Sequence, residues 1–140
     1  MSTNILDVSV GQTGIPKSFI RGQTMEFILE LPPEVPAGFF LSELVTTTLA
    51  CQLRKLENAG EDGLIATLEV SWEDAAGTKL RFKSAVDEDT NLWALGPAEF
   101  DVLFTRTENV ELVTGIPGAT QVKTFRSLPV QITIEDGVTA

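Results

Sequence analysis

Histidine and tyrosine are absent from the 140 residues, and cysteine occurs once, as Cys51. Without histidine the chain lacks the commonest general base, the commonest metal ligand and the side chain that titrates near neutral pH. A single cysteine forms no internal disulfide, so the fold rests on packing and suits a compartment that is not oxidising. Cations are scarce as well: ten Lys and Arg stand against twenty Asp and Glu, a net charge of −10. A surface this acidic repels phosphate backbones and anionic membranes, so neither nucleic acid nor membrane is expected as a partner. No apolar run approaches the roughly 18 residues that cross a bilayer. The opening "MSTNILDVSV" has neither the basic nor the long apolar region of a secretory signal. The expectation is a soluble protein that is not secreted.

What the sequence has in quantity is a period of two. In "TMEFILEL", Met25, Phe27, Leu29 and Leu31 share one face, and "PPEVP" stops the strand. Thr47, Leu49, Cys51 and Leu53 share a face in the next run, where neighbouring threonines favour strand over helix. Ala66, Leu68, Val70 and Trp72 follow, then the turn "EDAAGT", then Leu80 and Phe82. Phe100, Val102 and Phe104 point inward against Asp101, Leu103 and Thr105. "VELV" reads as a short strand before the loop "TGIPGAT"; "QVKTFRSL" is interrupted by Pro129, and "VQITIE" closes the pattern with Val130, Ile132 and Ile134. These runs predict an all-β protein, a single antiparallel immunoglobulin-like β-sandwich of seven to eight strands with one short helical turn near residues 87–95. The expected division is an N-terminal arm or edge strand over residues 1–18, the sandwich over 19–136 and a short tail over 137–140.

The densest polar stretch is "DEDTNLWALG", from Asp87 to Gly96. As a calcium loop it places Asp87, Asp89 and Asn91 at alternate ligand positions, but Leu92 stands where glycine is needed and Ala98 where the bidentate glutamate is needed. As a glycosidase pair it offers adjacent acids on one loop, not two carboxylates across a sugar bond. The better reading is structural: Ser84 or Asp87 caps a helical turn, Leu92, Trp93 and Leu95 form its apolar underside, and Gly96 and Pro97 end it. Cys51 is in phase with Leu49 and Leu53 and reads as a core residue, not a nucleophile. "RGQ" at Arg21–Gln23 lacks the aspartate of an integrin-type tripeptide, and Gly22 reads as a backbone device before a strand. "GIPKS" around Pro16 and "GIPGA" around Pro117 are too short to be a repeat. No catalytic, cofactor-binding or metal site is expected.

The order of these pieces resembles the immunoglobulin-like β-sandwich module of tailed-phage structural proteins, as in the N-terminal domain of siphophage upper-baseplate proteins. Arg21, Gly22 and Thr24 match its "RGD-T" entry with Gln23 in place of the acid; Gln52, Leu53 and Arg54 match its "QLR"; Thr90, Leu92, Gly96, Phe100 and Asp101 match its acidic-Thr turn, glycine and aromatic-x-Asp strand. The resemblance spans about residues 19 to 134. It implies a non-enzymatic virion structural or assembly protein of tail, baseplate, neck or capsid surface, acting through contacts with other virion proteins or through self-association. The alternative is a carbohydrate- or receptor-binding β-sandwich module, which would present exposed aromatics to its ligand.

Overall fold

The structure, a computed structural model, describes residues 4–6, 18–56 and 63–137. Among them the chain forms nine strands: β1 (Asn4–Leu6), β2 (Ser18–Ile20), β3 (Glu26–Glu30), β4 (Val45–Lys55), β5 (Leu64–Trp72), β6 (Lys79–Lys83), β7 (Gly96–Asn109), β8 (Thr120–Ser127) and β9 (Val130–Glu135). The all-β class follows from the alternation. The antiparallel sandwich does not: the strands form one curled, mixed sheet, with β1 parallel to β8 and β2 parallel to β9.

Strand β5 explains why no second sheet separates. Its first half pairs with β4, from Cys51↔Leu68 to Arg54↔Leu64, and its second half pairs with β6, from Glu69↔Lys83 to Trp72↔Leu80. The hydrogen-bond ladder is thereby carried around a corner instead of breaking there. Strand β7 is the spine. It pairs with β4 along Ala98 to Glu108, and its other edge is shared by β9, opposite Gly96–Phe100, and β8, opposite Leu103–Asn109.

The inner face of the curl is the core. Leu29, Cys51, Leu53, Leu68, Phe82, Phe100, Val102 and Ile132 are all buried, as their alternation predicts, while Val70 is only half-buried at the β5 corner. Phe27 and Phe82 stack at 4.9 Å, and both lie within 5.5 Å of Phe100. Strands β4 and β5 separate β6 from β7 in the sheet order, so these contacts cross the interior. Turn chemistry sets the β5–β6 hairpin: the Asp74 carboxylate accepts from the Thr78 hydroxyl and from the N–H groups of Thr78 and Lys79. These donors hold its carboxyl below the usual range. The hairpin's stability is therefore present above the unfolded aspartate pKa and fades as pH falls through the depressed native one.

One end of the curl is closed by the segment after β3. Phe40 is fully buried, stacked on Phe104 at 4.9 Å and edge-on to Phe125 at 5.4 Å. The Thr47 hydroxyl donates to the Phe40 carbonyl at 2.7 Å, and Arg106 Nε donates to the Phe39 carbonyl at 2.8 Å. Arg106 keeps the inward phase of β7 and is 8% exposed; its charge is met by Glu108 at 3.0 Å and by the face of the Phe39 ring at 4.4 Å.

One local reading is corrected. "VELV" is not a strand: Glu111–Thr114 form a short helix, α1, at the tip of the β7–β8 hairpin. The Asn109 side chain accepts from the Glu111 N–H, and Gly115, at φ 73°, takes the left-handed residue that ends the helix. The N-terminal arm is described only at Asn4–Leu6, which lie on β8; residues 1–3, 7–17 and 138–140 are outside the described residues. Phe40→Ala is expected to cost about 3–5 kcal/mol, read as a lower urea midpoint. A loss under about 1 kcal/mol would show that Phe40 does not close the core.

Candidate functional site

The acidic stretch folds as a 3₁₀ turn, Thr90–Leu92, and its cap is Asp89, not Ser84 or Asp87. Asp89 Oδ1 accepts from the Asn91 N–H at 3.0 Å, while Glu88 Oε1 accepts from the Trp93 indole N–H at 2.8 Å. Ser84 is instead buried, its hydroxyl accepting from the Met25 N–H. Trp93 is buried and packs on Phe19, with ring centres 5.3 Å apart, as a plug. The expected apolar underside is reduced to that one ring: Leu92 is 82% and Leu95 51% exposed. The turn needs only one residue facing inward besides Thr90, so its leucines fall outside. Glu88 and Asp89 each serve a protein donor while Asp87 is exposed, and the described residues contain no group of three or more acidic, Cys or His side chains placed to hold a metal ion.

Thr90 ties this turn to the Arg21–Gln23 corner. Its hydroxyl donates to the Gln23 carbonyl at 2.7 Å and accepts from the Gly22 N–H at 2.8 Å. Gly22 has φ +97°, and a Cβ there would sit 2.8 Å from Asn91 Oδ1; only glycine serves. Arg21 donates to the Trp93 carbonyl at 3.1 Å and pairs with Asp136, also at 3.1 Å. The tripeptide is thus a corner clamp between β2 and β3.

The concave surface lies elsewhere, on the outer face of the sheet. Between Leu103↔Arg126 and Phe100↔Val130, two residues of β7 oppose three of the β8–β9 segment, Ser127–Pro129. This is a β-bulge, the device that parts a ladder and re-aims side chains. Pro129 has no N–H to donate, and the Val102 N–H is taken by the Ser127 hydroxyl at 2.8 Å. The opening forms a cleft of about 340 Å³ lined by Gln52, Arg54, Glu99, Asp101, Arg126 and Pro129, continuous with one of about 300 Å³ toward Ala50 and Thr67. Asp101 sits at its centre: it is opposite Gln52 in β4 and accepts from Arg126 at 3.0 Å. Arg54 donates to the Gln52 side-chain amide oxygen, Oε1.

The cleft is a surface of hydrogen-bonding groups with both signs of charge. Cys51 lines its second part yet faces the core, 2% exposed. Burial first, and the Asp101 charge second, push its thiol well above the ordinary range, so it carries no thiolate for nucleophilic work. Of the residues on which the expected likeness to the phage module rests, Gln52, Arg54 and Asp101 lie at the cleft and Arg21, Gly22 and Thr90 at the corner clamp, while Leu53 and Phe100 are buried in the core and Leu92 is exposed. Sequence reasoning had the cleft residues as outward positions of β4 and β7, and Pro129 as a break; that the break opens a cleft beside them was not read. No protein-family model matches the chain, and no curated protein is similar to it.

Thr90→Val, which keeps the shape and removes the hydroxyl, is expected to cost about 1–3 kcal/mol in urea unfolding because Gly22 and Gln23 lose their partner. Asp87→Ala should stay within about 0.5 kcal/mol. Calcium is expected to leave the melting temperature unchanged; a saturable rise would overturn the capped-turn reading.

Proposed function

We propose that the protein is a non-enzymatic structural or assembly protein of a tailed-phage particle, placed in tail, baseplate, neck or capsid surface, and that it acts by protein–protein contact. In this reading the curled sheet is an immunoglobulin-like module whose two layers stay joined through β5. The observation that carries the proposal is the β7–β8 hairpin tip. There Leu112 and Val113, on a short helix that contributes no side chain to the core, are 83% and 87% exposed, and Ile116 just after it is 61% exposed. An aliphatic cluster so placed does nothing for the fold of this chain, and clustered exposed apolar residues mark contact sites.

The carbohydrate-binding alternative is supported less well. Sugar-binding surfaces stack rings on aromatic faces, and here all eight phenylalanines and both tryptophans are buried or half-buried. Antibody raised against the protein is expected to label particles banded from a lysate of the producing cells. Leu112→Asp with Val113→Asp should leave the urea midpoint within about 0.5 kcal/mol of the parent and remove the label from particles. Particles that carry no copy of the parent protein overturn the proposal.

A further inference from the structure

Strand β8 has one edge on β7 along its whole length, from Asn109↔Thr120 to Leu103↔Arg126. Its other edge is covered by β1 only at Phe125–Ser127. From Thr120 to Thr124 no described strand lies alongside it. An open edge is a template for another strand unless it is blocked by charge, proline, bulge or cover. Thr120–Thr124 carries one charge, Lys123, and no proline.

Another edge with no described strand alongside, that of β3, is guarded. Glu26 and Glu30 stand two residues either side of Ile28, paired inward with Arg81 and Lys79, and Leu31 is followed by Pro32 and Pro33. If two copies paired antiparallel about Ile28, Glu26 of one would face Glu30 of the other, twice. Like charges directly opposite are destabilising. The same operation about Val122 sets Thr120 opposite Thr124, Gln121 opposite Lys123, and Val122 opposite its own copy. Thr–Thr pairs hydrogen-bond, the central Val122 is 50% exposed, and no like charges meet. The five residues are self-complementary under a two-fold rotation, the commonest symmetry of homo-oligomers.

We propose that two copies of this chain associate by antiparallel pairing of their β8 edges about Val122, joining two curled sheets into one across a two-fold axis. Among the described residues β1 stops short of the window, its Asn4 standing opposite Phe125, the residue after the window ends. The same register carries each apolar tip, which directly precedes β8, past Thr124 of the second copy and alongside its body. The inference rests on the reading of tip and edge as contact surfaces and names a second copy as the first partner.

Sedimentation equilibrium of the full-length chain is expected to show a weak dimer, with a dissociation constant of roughly 10–100 μM for so small an interface. Gln121→Lys places an ammonium opposite Lys123 of the other copy twice over, and is expected to weaken the dimer about tenfold. Gln121→Glu places a carboxylate there and is expected to tighten it by about the same factor. Both signs oppose what bulk charge would do, because the first substitution reduces the net negative charge and the second adds to it. Folding is read separately: Gln121 lies opposite Glu108 within the chain, so Gln121→Lys supports its own hairpin while it breaks the dimer. A protein that is monomeric at about 1 mM, or two variants that shift the dissociation constant in the same direction or not at all, overturns the proposal. Particle labelling is an independent readout: a labelled but monomeric protein removes the β8 dimer alone, and a β8 dimer absent from particles removes the virion role alone.

Discussion

Strands β2 and β3 lie at opposite ends of the strand order β2–β9–β7–β4–β5–β6–β3, yet only residues 21–25 separate them in the chain. Six residue steps span at most about 20 Å. A flat sheet of seven strands would place its outer two about 29 Å apart, at roughly 4.8 Å per strand. The short link cannot cross that distance, so the sheet must curl until its ends approach. The interior contacts between Phe27, Phe82 and Phe100 are the consequence, as is the location of the Gly22–Thr90 clamp at the point where the link turns. The curl leaves one end open, and that end is filled by Phe40 and by Arg106 reaching back to the Phe39 carbonyl.

The parts legible in the sequence are those fixed by side-chain alternation alone. Leu29, Leu53, Phe82, Phe100 and Ile132 are inward because a residue's face depends on its parity in the strand, whichever strand lies beside it. The same independence hides the topology. Ala66, Leu68, Val70 and Trp72 alternate identically whether β5 pairs with β4 or passes to β6, so the corner that merges two expected layers leaves no mark in the pattern. The parallel pairing of β2 with β9 rests on three residues, too few to carry a signal. Arg106 was missed for a different reason: it continues the inward phase of Phe104, and a charged residue breaks a hydrophobic pattern even where the backbone points it inside. The cap was placed at Ser84 or Asp87 and lies at Asp89, because several capping residues close together offer the same chemistry and only Thr90, tied to the Arg21–Gln23 corner, selects Asp89.

The candidate cleft shows how a local irregularity makes a surface that no motif announces. Gln52, Arg54, Glu99 and Asp101 occupy ordinary outward positions of two paired strands, where alternating charges commonly do no more than solvate a sheet. One extra residue opposite Asp101 and Val102 parts the neighbouring strand, and Ser127 replaces the missing ladder bond with its hydroxyl. The side chains then line a depression instead of a flat ladder. Pro129 is the one trace of this in the sequence, since a residue without an N–H sits where a ladder fails.

The allocation of side-chain types bears on how the molecule makes contacts. Every aromatic ring is placed on the interior or half-buried against it, and the exposed apolar residues are aliphatic, the most exposed of them at the hairpin tip and around the acidic turn. Aromatic anchors usually dominate tight interfaces because they bury much area at little entropic cost. A protein that keeps its rings inside must rely on backbone pairing and on small aliphatic patches, whose individual contributions are modest. Such contacts are weak singly and become strong when repeated in a fixed geometry, because each one formed raises the effective concentration for the next. In the proposed assembly role an acidic exterior would suit that regime, since a net charge of −10 makes copies repel one another unless several contacts form together.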